Sequence, residues 1–194
     1  MLFLWYMPYF TTVECKFGYR NSIFKQDLKG EYLIYEVVFK LNKKPKYNIT
    51  YAALKDFLQQ HNVKNPTAAT ISEAVIKIRN SKLPDPTETG NCGSFFKNPI
   101  VSKEHFQSLL EKYPTMPHYH VNANEVKIPA GWLIEICGFK GKKVGQVGTY
   151  EKQALVLINL GGATGNEAYT FALNIISTVE DKFNIKLHPE VNII

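Results

Sequence analysis

The sequence predicts an α+β protein, and three observations carry that prediction. Residues 32 to 41, "YLIYEVVFKL", and 154 to 159, "ALVLIN", are short runs rich in β-branched and aromatic or aliphatic residues, the composition of strands. Two T-x-x-E boxes, Thr70/Glu73 and Thr164/Glu167, each precede apolar residues at helical spacing. Strands and helices alternate along much of the chain, the pattern of an α/β or α+β protein. The 194 residues are enough for one large or two small domains with buried cores.

The chain opens with "MLFLWYMPYF", which is apolar but too short to span a bilayer. It has no basic start and no small-residue cleavage site, so it is a poor signal peptide; a buried strand or a non-native start over residues 1–12 is expected. After the strand at 32–41, "NKKPKYN" reads as a basic loop. Residues 51 to 61 read as a helix with Tyr51, Leu54 and Leu58 on one face. The Thr70/Glu73 box starts the next helix, which turns Ile71, Ala74, Val75 and Ile78 inward. Pro84 and Pro86 end it. A domain boundary is expected there, dividing residues 1–83 from 84–194.

Ser102 is placed to cap a helix carrying Phe106, Leu109 and Leu110. "YPTMPHYHVNANE" reads as a loop. A short helix begins at Pro129 and stops at Gly138, and "GFKGKKVGQVG" is a basic loop or hairpin. After the 154–159 strand, "GGATGNE" turns the chain into a helix that buries Phe171, Ala172, Ile175, Ile176, Val179 and Phe183. "IKLHPEVNII" closes as a strand.

Composition sets outer limits on function. The formal charge is +6, which suits anionic partners or a plain solvated surface. Cys15, Cys92 and Cys137 are an odd number at wide spacing, with no C-x-x-C pair. Neither a zinc site nor a disulfide framework is indicated, and a reduced, cytoplasmic protein is the simplest reading.

The segment "GNCGSFFKNPIV", residues 90 to 101, mixes glycines, a serine, paired aromatics, a cation and an amide without a regular period. Ser94 is a candidate nucleophile, but residues 92 to 96 read C-G-S-F-F rather than the G-x-S-x-G elbow. "GGATG" lies between a strand and a helix N-terminus, where anions bind, yet a tight turn and a cap explain it better. His118 and His120 flank Tyr119 without a third metal ligand at a diagnostic spacing. Lys40, Lys43, Lys44 and Lys46 lie near aromatics, but no RNA-binding signature accompanies them.

Taken in order, "CKFGYRNSIFK", "KLPDP", "GNCGSFFKNPIVS", "AGWLIEICGFKG", "KQALVLIN" and "LHPEV" resemble the UDP-N-acetylenolpyruvoylglucosamine reductase family. The resemblance runs from about Val13 to Ile194. It implies the end of an FAD-binding domain (residues 1–83) followed by an α/β substrate-binding domain (84–194) that carries the terminal catalytic strand. It implies a cytoplasmic flavoenzyme that uses NADPH and FAD to reduce UDP-N-acetylglucosamine enolpyruvate to UDP-N-acetylmuramate for peptidoglycan, with neither nucleic acid nor membrane as partner.

By the same resemblance, Ser94 is the proton donor, and Arg20 and Glu190 stabilise the enolate. Gly93 lets the backbone approach flavin and substrate closely. Tyr19, Tyr51, Lys82, Asn98, Tyr119, Lys140 and Gln153 correspond to substrate-contacting positions, Tyr51 as the tyrosine of a loop over the substrate. Phe95 and Phe96 are expected to pack. Two departures stand out: Asn21 where aspartate is common, and Cys92 where alanine is common. Most of the segment that precedes "ECKFGYR" in the family has no counterpart here. The expectation is therefore a truncated product, inactive alone, that retains no FAD and whose missing N-terminal part is a possible partner. The alternatives are a non-catalytic UDP-sugar-binding module and a basic RNA-binding domain.

Overall fold

The computed structural model describes residues 7–193 and divides the chain into two units, Met1–Lys46 and Tyr47–Ile194. The expectation of a buried strand or non-native start at the N-terminus falls partly on residues 1–6, outside the described residues. Met7 and Tyr9, which follow them, are exposed and in no strand.

In the first unit Gly18 and Asn21 exchange backbone hydrogen bonds of 3.0 and 3.2 Å, which closes a tight turn with Tyr19 and Arg20 at its tip. A single 3-10 turn follows at Ile23–Lys25. The rings of Phe10, Phe24 and Tyr32 meet edge to face, with Phe10 5.1 Å from Phe24 and 5.3 Å from Tyr32. Among the described residues of this unit only Cys15 is buried. The expected strand at 32–41 is absent. The segment belongs to no β-ladder, and its side chains are exposed. β-propensity is a local preference, whereas a strand also needs a second backbone to satisfy its N–H and C=O groups.

The second unit opens with helices α1 (Ala52–Gln60) and α2 (Ala68–Lys82). They share a small core of Leu54, Leu58 and Ala74, edged by Phe57, Val63, Ile71 and Ile78. Tyr51 precedes α1 and is exposed instead of joining its apolar face. The cap of α2 lies three residues before the expected one. The Thr67 hydroxyl accepts from Thr70 N–H, and the Thr70 hydroxyl accepts from Thr67 N–H at 2.7 Å. Threonine at the third helical position thus does what a glutamate does in such a box: its hydroxyl reaches back to the N–H of the cap residue, here Thr67.

The remaining residues build two antiparallel sheets. The larger has the order β1 (Gly90–Ser94), β7 (Gln153–Asn159), β6 (Val147–Tyr150), β5 (Lys143–Val144). The smaller has the order β2 (Ile100–Ser102), β4 (Glu125–Lys127), β3 (Tyr119–His120). The expected loop at 113–125 instead carries β3, which pairs with β4 as a hairpin, and the glycine-rich 138–148 stretch ends in the β5–β6 hairpin.

Helix α3 (Lys103–Lys112) packs on the smaller sheet, with Ser102 as its cap. Helices α4 (Ala130–Ile136) and α5 (Gly165–Phe183) pack on the larger sheet. Thr164 and Glu167 form the expected box on α5, and its six expected core residues are all buried. One cluster joins them to Phe95, Phe96, Leu133, Ile134 and Leu157.

The C-terminal segment is not a regular strand. It runs extended beside residues 95–97, bridged at Phe96 and Pro189. Lys97 N–H donates to His188 C=O at 2.9 Å, and Glu190 N–H donates to Phe95 C=O at 2.8 Å. Pro189 sits between the two bonded residues, where its own nitrogen faces away from residues 95–97, so proline is tolerated there. Ile185 and Leu187 anchor the segment in the core. Among the described residues no helix is long and apolar enough to cross a membrane.

Candidate functional site

The "GNCGSFF" segment is a bulged edge strand. Asn91 faces Ile158 and Ser94 faces Val156, so three steps on β1 match two on β7. Gly93 supplies the extra residue at φ +71°, a left-handed conformation that glycine adopts without steric penalty. The Asn91 Oδ1 accepts Gly93 N–H at 3.0 Å and holds the bulge. Space over Gly93 is open: a Cβ there would meet nothing within 4 Å. Just beyond, Phe95 N–H bonds Leu155 C=O at 2.8 Å, and Phe95 and Phe96 are buried with their rings 4.9 Å apart. The bulge is therefore locked on both sides and re-aims Ser94, which stays exposed while its successors anchor the strand.

Ser94 opens on a pocket of about 300 Å³ lined by Tyr51, Val75, Ile78, Arg79, Lys82, Leu83, Ser94 and Gln153. The last turns of α2 form one wall. Lys82 Nζ lies 5.9 Å from the centre of the Tyr51 ring, a cation–π arrangement. Arg79 adds a second cation one helical turn back, and no carboxylate is among the lining residues. Two cations, a phenol, a hydroxyl and an amide around an apolar floor suit an anionic ligand with an organic body.

Four expected site residues, Tyr51, Lys82, Ser94 and Gln153, share this pocket. Glu190 is carried on the segment whose backbone bonds Phe95, the residue after Ser94. Asn98, Tyr119 and Lys140 of the same unit are not among the pocket's lining residues. Asn98 Oδ1 accepts Ala130 N–H at 2.9 Å and so caps α4. Tyr119 is exposed on β3 with Lys127 Nζ 5.7 Å from its ring centre. Lys140 pairs with Glu135 at 2.8 Å. Tyr19 and Arg20 lie at the turn of the first unit, Arg20 at φ +54°, a region non-glycine residues seldom occupy.

Val75, Ile78, Arg79 and Leu83 were not anticipated as lining. Positions 75, 78, 79 and 82 fall on one face of α2, which apolar spacing alone reads as core. Val75 is instead 39% exposed. Cys92, two residues before Ser94, is a free cysteine at the surface, but desolvation of its packed side pushes the thiol up, so it stays neutral near pH 7.

A family model for the C-terminal domain of UDP-N-acetylenolpyruvoylglucosamine reductase matches residues 85–194. The UDP-N-acetylenolpyruvoylglucosamine reductase of Flavobacterium johnsoniae is 50% identical over 186 residues, covering 95% of this chain and 55% of the relative. That of Porphyromonas gingivalis is 49% identical over 185 residues, covering 95% and 54%. That of Chromobacterium violaceum is 44% identical over 180 residues, covering 93% and 53%. The chain spans about half the length of the curated relatives it matches. The Ser94 pocket thus sits in a chain that belongs to the UDP-N-acetylenolpyruvoylglucosamine reductase family.

Proposed function

We propose that this chain supplies the substrate-binding and proton-donating part of a cytoplasmic reductase that converts UDP-N-acetylglucosamine enolpyruvate to UDP-N-acetylmuramate in peptidoglycan synthesis. The observation that carries the reading is the joint lining of one pocket by Ser94, Lys82, Tyr51 and Gln153, with Arg79 beside them. Lys82 and Arg79 neutralise the diphosphate, and Tyr51 covers it. Tyr19, Asn98, Tyr119 and Lys140 are the further substrate contacts proposed by family resemblance. Lys140 must leave Glu135 to make its contact.

FAD, reduced by NADPH, supplies the hydride when bound. The open space over Gly93 leaves room for a planar ring to approach the backbone. Hydride addition to one carbon of the enolpyruvyl double bond drives electron density toward the carboxylate. Arg20 and Glu190 stabilise that charge. The Ser94 hydroxyl donates its proton to the other carbon, a step that depends on holding a weak acid at the correct face. In this reading residues 1–83 belong to the FAD-binding part and 84–194 to the substrate domain. Only Cys15 is buried among the described residues before Tyr47, which is little enclosure for a flavin. The 194 residues by themselves are therefore expected to be colourless and without turnover.

Ser94→Ala, made in a reductase of family length that carries residues 13–194, tests the assignment by stopped flow. Flavin reduction by NADPH is expected to continue nearly unchanged. Reoxidation by the enolpyruvyl sugar is expected to slow by about 10²–10⁴-fold, the usual worth of a positioned general acid. Equal loss in both steps would make Ser94 structural.

A further inference from the structure

We infer that Gly131 is a positioning residue for the Ser94 pocket and acts through Gln153, an inference that rests on the pocket reading above. Gly131 lies within helix α4, where glycine is less favourable than alanine by about 1 kcal/mol. Its backbone is not left-handed, so conformation does not demand glycine. Space does. A Cβ at this position would stand 3.0 Å from Gln153 Oε1, 3.4 Å from Leu155 Cγ and 3.6 Å from Leu155 Cδ1. The first of these is tighter than ordinary contact, so the amide would have to move.

The helix cannot retreat to relieve the crowding. Its first N–H is held by Asn98 Oδ1 at 2.9 Å, and Leu133 and Ile134 on its inner side are fully buried. Gln153 itself is only weakly tied. Its Oε1 accepts Leu155 N–H at 3.4 Å, at the long limit of a hydrogen bond. The bare face of Gly131 is therefore what fixes the direction of the Gln153 amide, and that amide shares the pocket with Ser94. Helix α4 thus acts on the pocket although none of its own residues lines it.

The test uses the 194-residue chain. The Gln153 side-chain NH₂ resonances are assigned by their loss in Gln153→Glu, and affinity is measured by calorimetry with UDP-N-acetylglucosamine. Gly131→Ala is expected to shift those resonances and to weaken affinity about three- to tenfold, the worth of one neutral hydrogen bond. In a Gln153→Ala background the same substitution is expected to cost no further affinity and to raise the melting temperature, since alanine then improves the helix without crowding. Unmoved Gln153 resonances, or affinity losses that multiply in the double variant, would overturn the inference. If Gly131→Ala fails to fold, the double variant must fold; its failure too would show that the space serves Leu155 alone. Unaltered affinity in Gln153→Ala alone would instead defeat the pocket reading.

Discussion

"YLIYEVVFKL" at 32–41 and "QALVLIN" at 153–159 carry the same local signal and meet opposite ends. The second is β7, paired with β1 on one edge and β6 on the other, with Val156, Leu157 and Ile158 buried. The first belongs to no ladder and exposes Leu33 at 88% and Phe39 at 76%. What separates them is the supply of partners. Residues 90–94 and the 143–150 hairpin give β7 backbone on both sides, and α4 and α5 cover its face. β-propensity measures fit to a half-buried pleated surface, so it yields a strand only where such a surface exists.

The largest expected effect follows from that contrast. Leu157→Ala removes a core side chain and should cost about 2–5 kcal/mol. Leu33→Ala removes an exposed one and should stay within about 0.5 kcal/mol. Urea denaturation of the two variants measures both. Equal losses would mean that the 32–41 segment is buried in solution, and the comparison would collapse.

A second test sharpens the contrast between pocket and periphery. Lys82 lines the pocket, whereas Lys140 is engaged with Glu135. Lys82→Ala should weaken UDP-sugar binding by about 1–3 kcal/mol, the scale of a charge-assisted hydrogen bond. Lys140→Ala should weaken it less, because its ammonium must first give up an existing ion pair. Calorimetric titration decides, and the reverse order would move the diphosphate site toward Lys140.

Most helices were legible in the sequence because their determinants are local. Ser102 and the Thr164/Glu167 box sit where the periodic apolar residues begin, and cap and core face agree. The strand that carries Ser94 was not legible. "GNCGS" is small and polar, and its place in a sheet depends on β7, some sixty residues later in the chain. The residues that meet in the pocket were legible by resemblance at Tyr51, Lys82, Ser94 and Gln153. Spacing could not supply Arg79, because a helix face reads the same whether it borders a core or a cleft. Nor could it show that the Asn98 amide is occupied at the start of α4.

The two capping boxes give the smallest and most specific test. The sequence presents Thr70/Glu73 and Thr164/Glu167 as equals, but only the second forms; α2 is capped by Thr67 and Thr70. Glu167 Oε2 accepts Thr164 N–H and the Thr164 hydroxyl, both at 2.8 Å. Those bonds, the backbone one foremost, hold its carboxyl below the ordinary value of 4.5. A lowered folded pKa means stability that is fully present above the unfolded value and lost as pH falls through the folded one. Glu167→Gln should therefore destabilise the chain at pH 7, and the difference from the parent should shrink from about pH 4.5 downward. Glu73→Gln should leave stability unchanged across the same range, since Thr70 makes the cap bond in its place. Thermal melts of the parent and both variants from pH 7 to pH 3 give the comparison. A pH-independent effect of Glu167→Gln would mean that the cap is made by Thr164 alone, and an effect of Glu73→Gln matching that of Glu167→Gln would restore the box that the sequence suggests.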